Sequence, residues 1–433
     1  MQKKYLSFNS LRKIISQRVL QIEDPRQEAK VGHEIHDCCL SAFAMMYFQD
    51  PSMLEFQTRL QDRLHTNNLK TLFDVHSIPK ATQLRDVVDI IPSESLDPVF
   101  SDYFRSLQRS KQLEKFQFLN GMYLMPIDGT QYFSSKTISC PGCLTKKHKN
   151  GDTTYSHQVL GISIVHPDMR QVICLAPEPI QNIDGSSKQD CERNAAKRLL
   201  QKTRTTHPKL KITITGDGLF SNQPFLDELK KYWMSFILVA KPGDHKFLFD
   251  CLSILKQQDE INTLEFTDQK GRRHIYEWFN GIPLNGSEQA DNVNFFEYTI
   301  IANDKISFHC SWVTDIPIDQ ANVKMLVKGG RARWKIENEN FNTLKNLGYH
   351  AEHNFGHGKE HASFNFFLFI LIAFFMHQIL ELSDPLFQQC RAKFSARKEY
   401  WNQLRCTVRI LVFSNWEHLL KFIISPPEEA MPP

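Results

Sequence analysis

Three acidic residues stand in settings suited to holding divalent metal ions. Asp128 ends the apolar run Met122-Tyr123-Leu124-Met125-Pro126-Ile127 and is followed by Gly129-Thr130. Asp217 sits between Gly216 and Gly218 after Ile212-Thr213-Ile214-Thr215, and Glu337 lies in Arg333-Trp334-Lys335-Ile336-Glu337-Asn338. Carboxylates are hard oxygen ligands, and Mg2+ (or Mn2+) keeps several waters, so three acids from separate elements suffice. A pair of such ions about 3.5–4 Å apart activates a nucleophile and steadies a leaving oxygen in phosphodiester cleavage. An aspartate at a strand end is also an ordinary turn cap. The third acid weighs against that reading, because basic and aromatic residues surround it.

On a helix Arg333 and Glu337 share a face, with Phe341, Leu344 and Lys345 returning toward it. Arginine is suited to bidentate phosphate contact, and the Trp334 ring to stacking on an unpaired base. Arg331 belongs to the same basic run, which is otherwise read as a solvated surface. Glu339 rivals Glu337 as third ligand but is six residues from Arg333, so Glu337 is preferred. Together these residues point to metal-dependent chemistry on a DNA backbone.

The elements that must position them are an α/β core. Strand-like runs occur at residues 121–128, 158–165, 171–177, 210–215 and 235–241. Helices are expected near 190–202 and 225–232. The order β-β-β-α-β-α-β is that of a ribonuclease-H-like mixed-sheet core. We expect a helical N-terminal domain at 1–115, the first part of the core at 116–261 and a β-rich insertion at 262–315. The rest of the core, with the third acid, follows at 316–383, and a helical tail at 384–433, frayed at its proline-rich end. The basic residues Lys3, Lys4, Arg12, Lys13, Arg18, Arg26 and Lys30 fit either a DNA grip or a solvated surface.

With 433 residues, a net charge of +4, 41% hydrophobic and 23% charged residues, the chain is not a histone-like polycation. Phe364–Leu380 approaches the length of a membrane span, but Asn365, His377 and Gln378 favour a buried core helix, and no membrane partner is expected. The opening residues do not read as a signal peptide. A cytoplasmic setting with ten reduced cysteines follows. Cys140-Pro141-Gly142-Cys143, with His148 and His157, has spacing that fits structural zinc; reduced cysteines standing together by chance fit as well.

The chain resembles a DDE transposase of the insertion-sequence-four type, whose third motif is Tyr-x2-Arg-x3-Glu-x6-Lys. Arg333-Trp334-Lys335-Ile336-Glu337 matches Arg-x3-Glu, Ile127-Asp128-Gly129-Thr130 the first motif, and Gly216-Asp217-Gly218 the second. A subgroup is similar further on, at Phe341-Asn342-Thr343-Leu344-Lys345 and Glu352–Gly358. Gly330 stands in place of the tyrosine, and Lys345 comes one residue late. The resemblance implies that Asp128, Asp217 and Glu337 bind the metals, that Arg333 touches end DNA and that Trp334 stacks on a flipped base. It also implies cut-and-paste transfer of terminal inverted repeats into target DNA, a homodimer in the synaptic complex, and a bacterial, nucleoid-associated location. Two other classes remain: a ribonuclease-H-like nuclease or resolvase without strand transfer, and an inactive zinc-stabilised DNA-binding regulator. The three intact acids speak against the last.

Overall fold

Strand Tyr123–Ser135 (β1) is the axis of the sheet. The computed structural model describes residues 4–61, 67–182 and 189–426. Lys3 and the frayed end expected at 427–433 lie outside the described residues. Side chains of β1 are buried from Tyr123 to Ile127, then open at Asp128 and Gly129. Burial on both faces accounts for its near-continuous apolar sequence.

Around β1 are Leu144–Lys147 (β2), Thr153–Ile164 (β3), Ile173–Cys174 (β4), Glu178–Ile180 (β5), Ile212–Gly216 (β6) and Ser235–Val239 (β7). The later strands are Asn262–Thr267 (β8), Arg273–Pro283 (β9), Asn292–Ala302 (β10) and Lys305–Thr314 (β11). They form one mixed sheet in the order β2-β3-β1-β6-β7-β11-β10-β9-β8, with β4 and β5 also paired to β3. β1 is antiparallel to β3 and parallel to β6, and β6 is parallel to β7. The β-rich stretch after residue 262 therefore extends the same sheet, through the antiparallel pairing of β11 with β7.

One strand differs from its sequence reading. The run at 171–177 yields only the short β4, and β5 begins beyond it. Pro177 and Pro179 have no N–H to donate, so a continuous ladder along this edge is impossible. Helices Glu192–Thr206 and Gln223–Lys231 lie close to where they were expected, and Lys246–Gln257 adds a helix the sequence reading missed.

Helix Ala362–Ser383 is long and apolar enough to cross a membrane, yet 89% of its most hydrophobic window is buried inside the protein. Its polar residues have partners there. Asn365 Nδ2 donates to the carbonyls of Val88 and Ile91, both at 2.8 Å. His377 Nδ1 is 2.6 Å from the Tyr349 hydroxyl, and Gln378 Oε1 accepts from Val172 N at 3.2 Å. Helix Ile35–Tyr47, buried along its whole length, packs against it.

The C-terminal helices join the N-terminal ones. Asn68 Nδ2 donates to the carbonyls of Val408 and Leu411, Phe8 stacks on Trp416 at 4.5 Å, and Arg405 donates to Phe48 O. Of the basic N-terminal residues, Arg12, Arg18 and Arg26 pair with Asp74, Asp102 and Asp24.

Asn365→Ala leaves the carbonyls of Val88 and Ile91 without a donor, at about 1–3 kcal/mol for each buried group left unpaired. A clear fall in melting temperature is expected. An unchanged melting temperature would contradict the role given to this residue.

Candidate active site

The strand register sets the first two acids side by side. β1 and β6 pair from Tyr123 with Ile212 to Pro126 with Thr215. The same offset brings Asp128 level with Asp217, just past the last paired rung. Both strands are buried up to that point, and both aspartates are partly exposed. The turn after Asp217 is held by its own carboxylate, whose Oδ1 accepts from Leu219 N at 3.0 Å.

The third acid arrives differently from a plain helix. Helix Val323–Arg331 ends, the chain turns, and Glu337 lies in a π-helical segment, Ile336–Phe341, that runs into a short α-helix at Asn342–Asn346. Two contacts seat this wide turn on β3. Asn340 Nδ2 donates to Ser163 Oγ at 2.9 Å. The Phe341 ring lies so close to Gly161 that an added Cβ would stand 2.6 Å from its Cζ. Gly161 is the rung opposite Asp128. A π turn holds one more residue than an α turn. Lys345, eight residues after Glu337, therefore returns to the face that the seventh residue of an unbroken helix would occupy.

A fourth carboxylate, unforeseen in the sequence, stands beside Asp128. Glu192 opens helix Glu192–Thr206, and its carboxylate lies over Gly129, where any side chain would collide with it. Burial pushes the Asp128 carboxyl up to about 7; the charge of Glu337 adds to this, Arg333 opposes it, and Glu192 and Asp217 add smaller effects. Glu192 is raised as well, first by burial and then by Asp217. Asp128 thus stands among three other carboxylates, with Arg333 opposing them. Among the described residues no three of these carboxylates bring ligand oxygens within 4.8 Å of one another, so the acids neighbour one another without forming a closed cage, and a hard dication would have to draw them together.

Arg333 is nearly buried, with 9% of its side chain exposed, and its Nη1 lies 2.6 Å from Glu337 Oε1. Among the described residues its buried Nε has no hydrogen-bond partner. Trp334 is 54% exposed beside it, with the guanidinium 5.1 Å from its ring centroid. Arg331 lies over Phe308 at 4.7 Å, and Lys345 pairs with Glu352 at 3.1 Å. Neither of these two has a contact to the acids among the described residues.

The expected zinc ligands are only partly brought together. Cys140, Cys143 and His157 converge, but His148 does not join them. It falls at the turn of the β2–β3 hairpin, is exposed, and bonds Thr154 Oγ1 at 2.7 Å. His357 takes the fourth place. Sequence spacing gave no sign of it, since it follows Cys143 by more than two hundred residues.

No protein-family model matches the chain, and no curated protein matches it. Among solved structures it is similar to the piggyBac transposase synaptic complex with hairpin DNA, at 12% identity and a TM-score of 0.32, over 93% of this chain and 84% of that one. A likeness of that degree says nothing by itself about activity.

Packed carboxylates repel, so neutralising one stabilises the metal-free protein. With chelator at pH 8, Asp128→Asn is expected to gain on the order of 1 kcal/mol or more. Because the folded-state value is raised to about 7, the gain is full above that pH. It fades as pH falls toward the ordinary carboxylate range of about 4, where both states are protonated. Equal or lower stability of the variant at pH 8 would contradict the clustering. Gly161→Ala drives a methyl into Phe341 and is expected to lower the melting temperature and loosen the third-acid turn, read by hydrogen exchange at 336–341.

Proposed function

We propose that the chain is a DDE-type DNA transposase of the insertion-sequence-four kind, built on a ribonuclease-H-like core and acting on DNA ends by cleavage and strand transfer. What supports the reading is that Glu337, on a docked π turn, and Asp217, on the neighbouring parallel strand, both act electrostatically on Asp128. The topology, in which a central strand is antiparallel to one neighbour and parallel to two successive strands on its other side, supports the core assignment.

In this reading Asp128, Asp217 and Glu337 would hold Mg2+ or Mn2+, with the Glu192 carboxylate beside them. When bound, the ions activate the attacking oxygen and neutralise the leaving one. Arg333 orients the Glu337 carboxylate through their ion pair, and contact with end DNA would draw on its Nε, which has no hydrogen-bond partner among the described residues. The exposed Trp334 ring offers a stacking surface for a base displaced from a DNA end. Arg331 and Lys345 contribute positive charge along the backbone path. The helices before residue 115 and after 384 form an accessory body, and a homodimer pairs two terminal inverted repeats in the synapse. The cytoplasmic, nucleoid-associated location expected from the sequence suits this activity.

The test uses labelled end DNA, a plasmid target and Mg2+. Asp128→Ala, Asp217→Ala and Glu337→Ala are each expected to abolish cleavage while leaving end binding near wild type. Cleavage retained by any of them removes that residue from the site. Joined product separates a transposase from a nuclease that only cuts. Glu192→Gln is expected to weaken the apparent metal affinity about 10–100-fold without abolishing cleavage. An unchanged Mg2+ dependence would exclude Glu192 from the metal's surroundings.

A further inference from the structure

Cys140, Cys143, His157 and His357 each offer one ligand atom, and these atoms all lie within 4.8 Å of one another. The two sulfurs are 3.7 Å apart. His157 Nε2 is 3.4 Å from each sulfur, and His357 Nε2 is 3.5 Å from Cys143 Sγ. The two imidazole nitrogens are 3.1 Å apart. A tetrahedron built from Zn–S bonds of about 2.3 Å and Zn–N bonds of about 2.0–2.1 Å has edges of about 3.8 Å between sulfurs. Its mixed edges are about 3.6 Å and its nitrogen–nitrogen edge about 3.3 Å. The observed separations follow the same ranking and lie within about 0.2 Å of those edges.

The histidine tautomer is set correctly for a metal. His357 Nδ1 lies 3.0 Å from the Gly358 carbonyl, which can only accept, so Nδ1 carries the proton and the Nε2 lone pair faces the sulfurs. The surroundings are dry and packed. Tyr132 stacks on His157, Phe133 lies against His357 at 4.5 Å, and Cys143, His157 and His357 are buried.

We propose that this group binds one structural zinc ion, held by Cys140, Cys143, His157 and His357. Two thiolates and two imidazoles in tetrahedral array suit zinc, and four protein ligands leave no open position for catalysis. The ion ties three distant segments together: the loop between β1 and β2, strand β3, and the loop that follows the third-acid turn. The last of these is anchored on its far side too. The Asp89 carboxylate accepts from the backbone N–H groups of Lys359, Glu360, His361 and Ala362 at the start of the long apolar helix. Zinc on one side and Asp89 on the other fix the path of the chain between Glu337 and the core helix. This site does not depend on the transposase reading.

The test is the metal content of the purified full-length chain, measured by inductively coupled plasma mass spectrometry after growth with zinc and without chelator. About one zinc per chain is expected. Cys143→Ser and His357→Ala should each lose most of it, and His148→Ala should keep all of it. So that a folding defect is not read as loss of a ligand, wild-type protein is also exchanged into Co2+ and its visible spectrum recorded. Tetrahedral thiolate coordination gives intense d–d bands and sulfur-to-metal charge transfer. Substoichiometric zinc in wild type, full zinc in His357→Ala, loss in His148→Ala, or a weak six-coordinate cobalt spectrum would each overturn the proposal.

Discussion

The close approach of Phe341 to Gly161 is the contact on which the rest of the site depends. Glu337 belongs to a segment distant in sequence from both aspartates, and it reaches them only because its wide turn is seated on β3. Seating requires a residue without a side chain at 161, one rung across from Asp128. The Asn340–Ser163 hydrogen bond fixes the same turn along the strand. A π turn is costlier than an α turn and survives where tertiary contacts over-determine it. Here two buried contacts do so.

Charge is the price of that arrangement. Burial and three neighbouring carboxylates raise Asp128, and Arg333, which opposes them, is paired with Glu337. The cluster therefore resists closing on itself and is held by the surrounding packing. The zinc-ligand group and the Asp89 cap lie along the chain just after the third acid, and the buried helix 362–383 follows them. Stability is thus concentrated just after a segment that electrostatics alone would push away.

Much of this was legible in local sequence, and the unread parts have identifiable causes. The apolar run before Asp128-Gly129 and the β-branched run before Gly216-Asp217-Gly218 announce two strands, and both lie there. Asp217 follows the end of its strand, whereas β1 continues past Asp128 to Ser135, so that acid sits within a strand and not at a turn. Asn365, His377 and Gln378 marked the apolar helix as buried, since each requires a partner that lipid does not supply. The π turn was not legible, because it follows from the packing of Phe341 and Asn340 against a strand far away in sequence. Lys345 looked one residue late for the same reason. Glu192 was passed over because an acid in the first turn of a helix is commonplace at the positive end of the helix dipole. His148 seemed a ligand by spacing, but the β2–β3 register turns it outward. His357 carries no local signal, since ligand spacing rules apply only to neighbours in sequence. Pro177 and Pro179 should have shortened the third strand in the reading, and did so in the fold.

The central claim is that the acids clasp divalent metal together. The most direct measurement is anomalous diffraction from crystals soaked in Mn2+, recorded at the manganese edge. The account predicts manganese peaks within coordinating distance of Asp128, Asp217 and Glu337, with Glu192 bordering them. Ordered carboxylates with no manganese between them, or peaks bound only elsewhere on the surface, would contradict it.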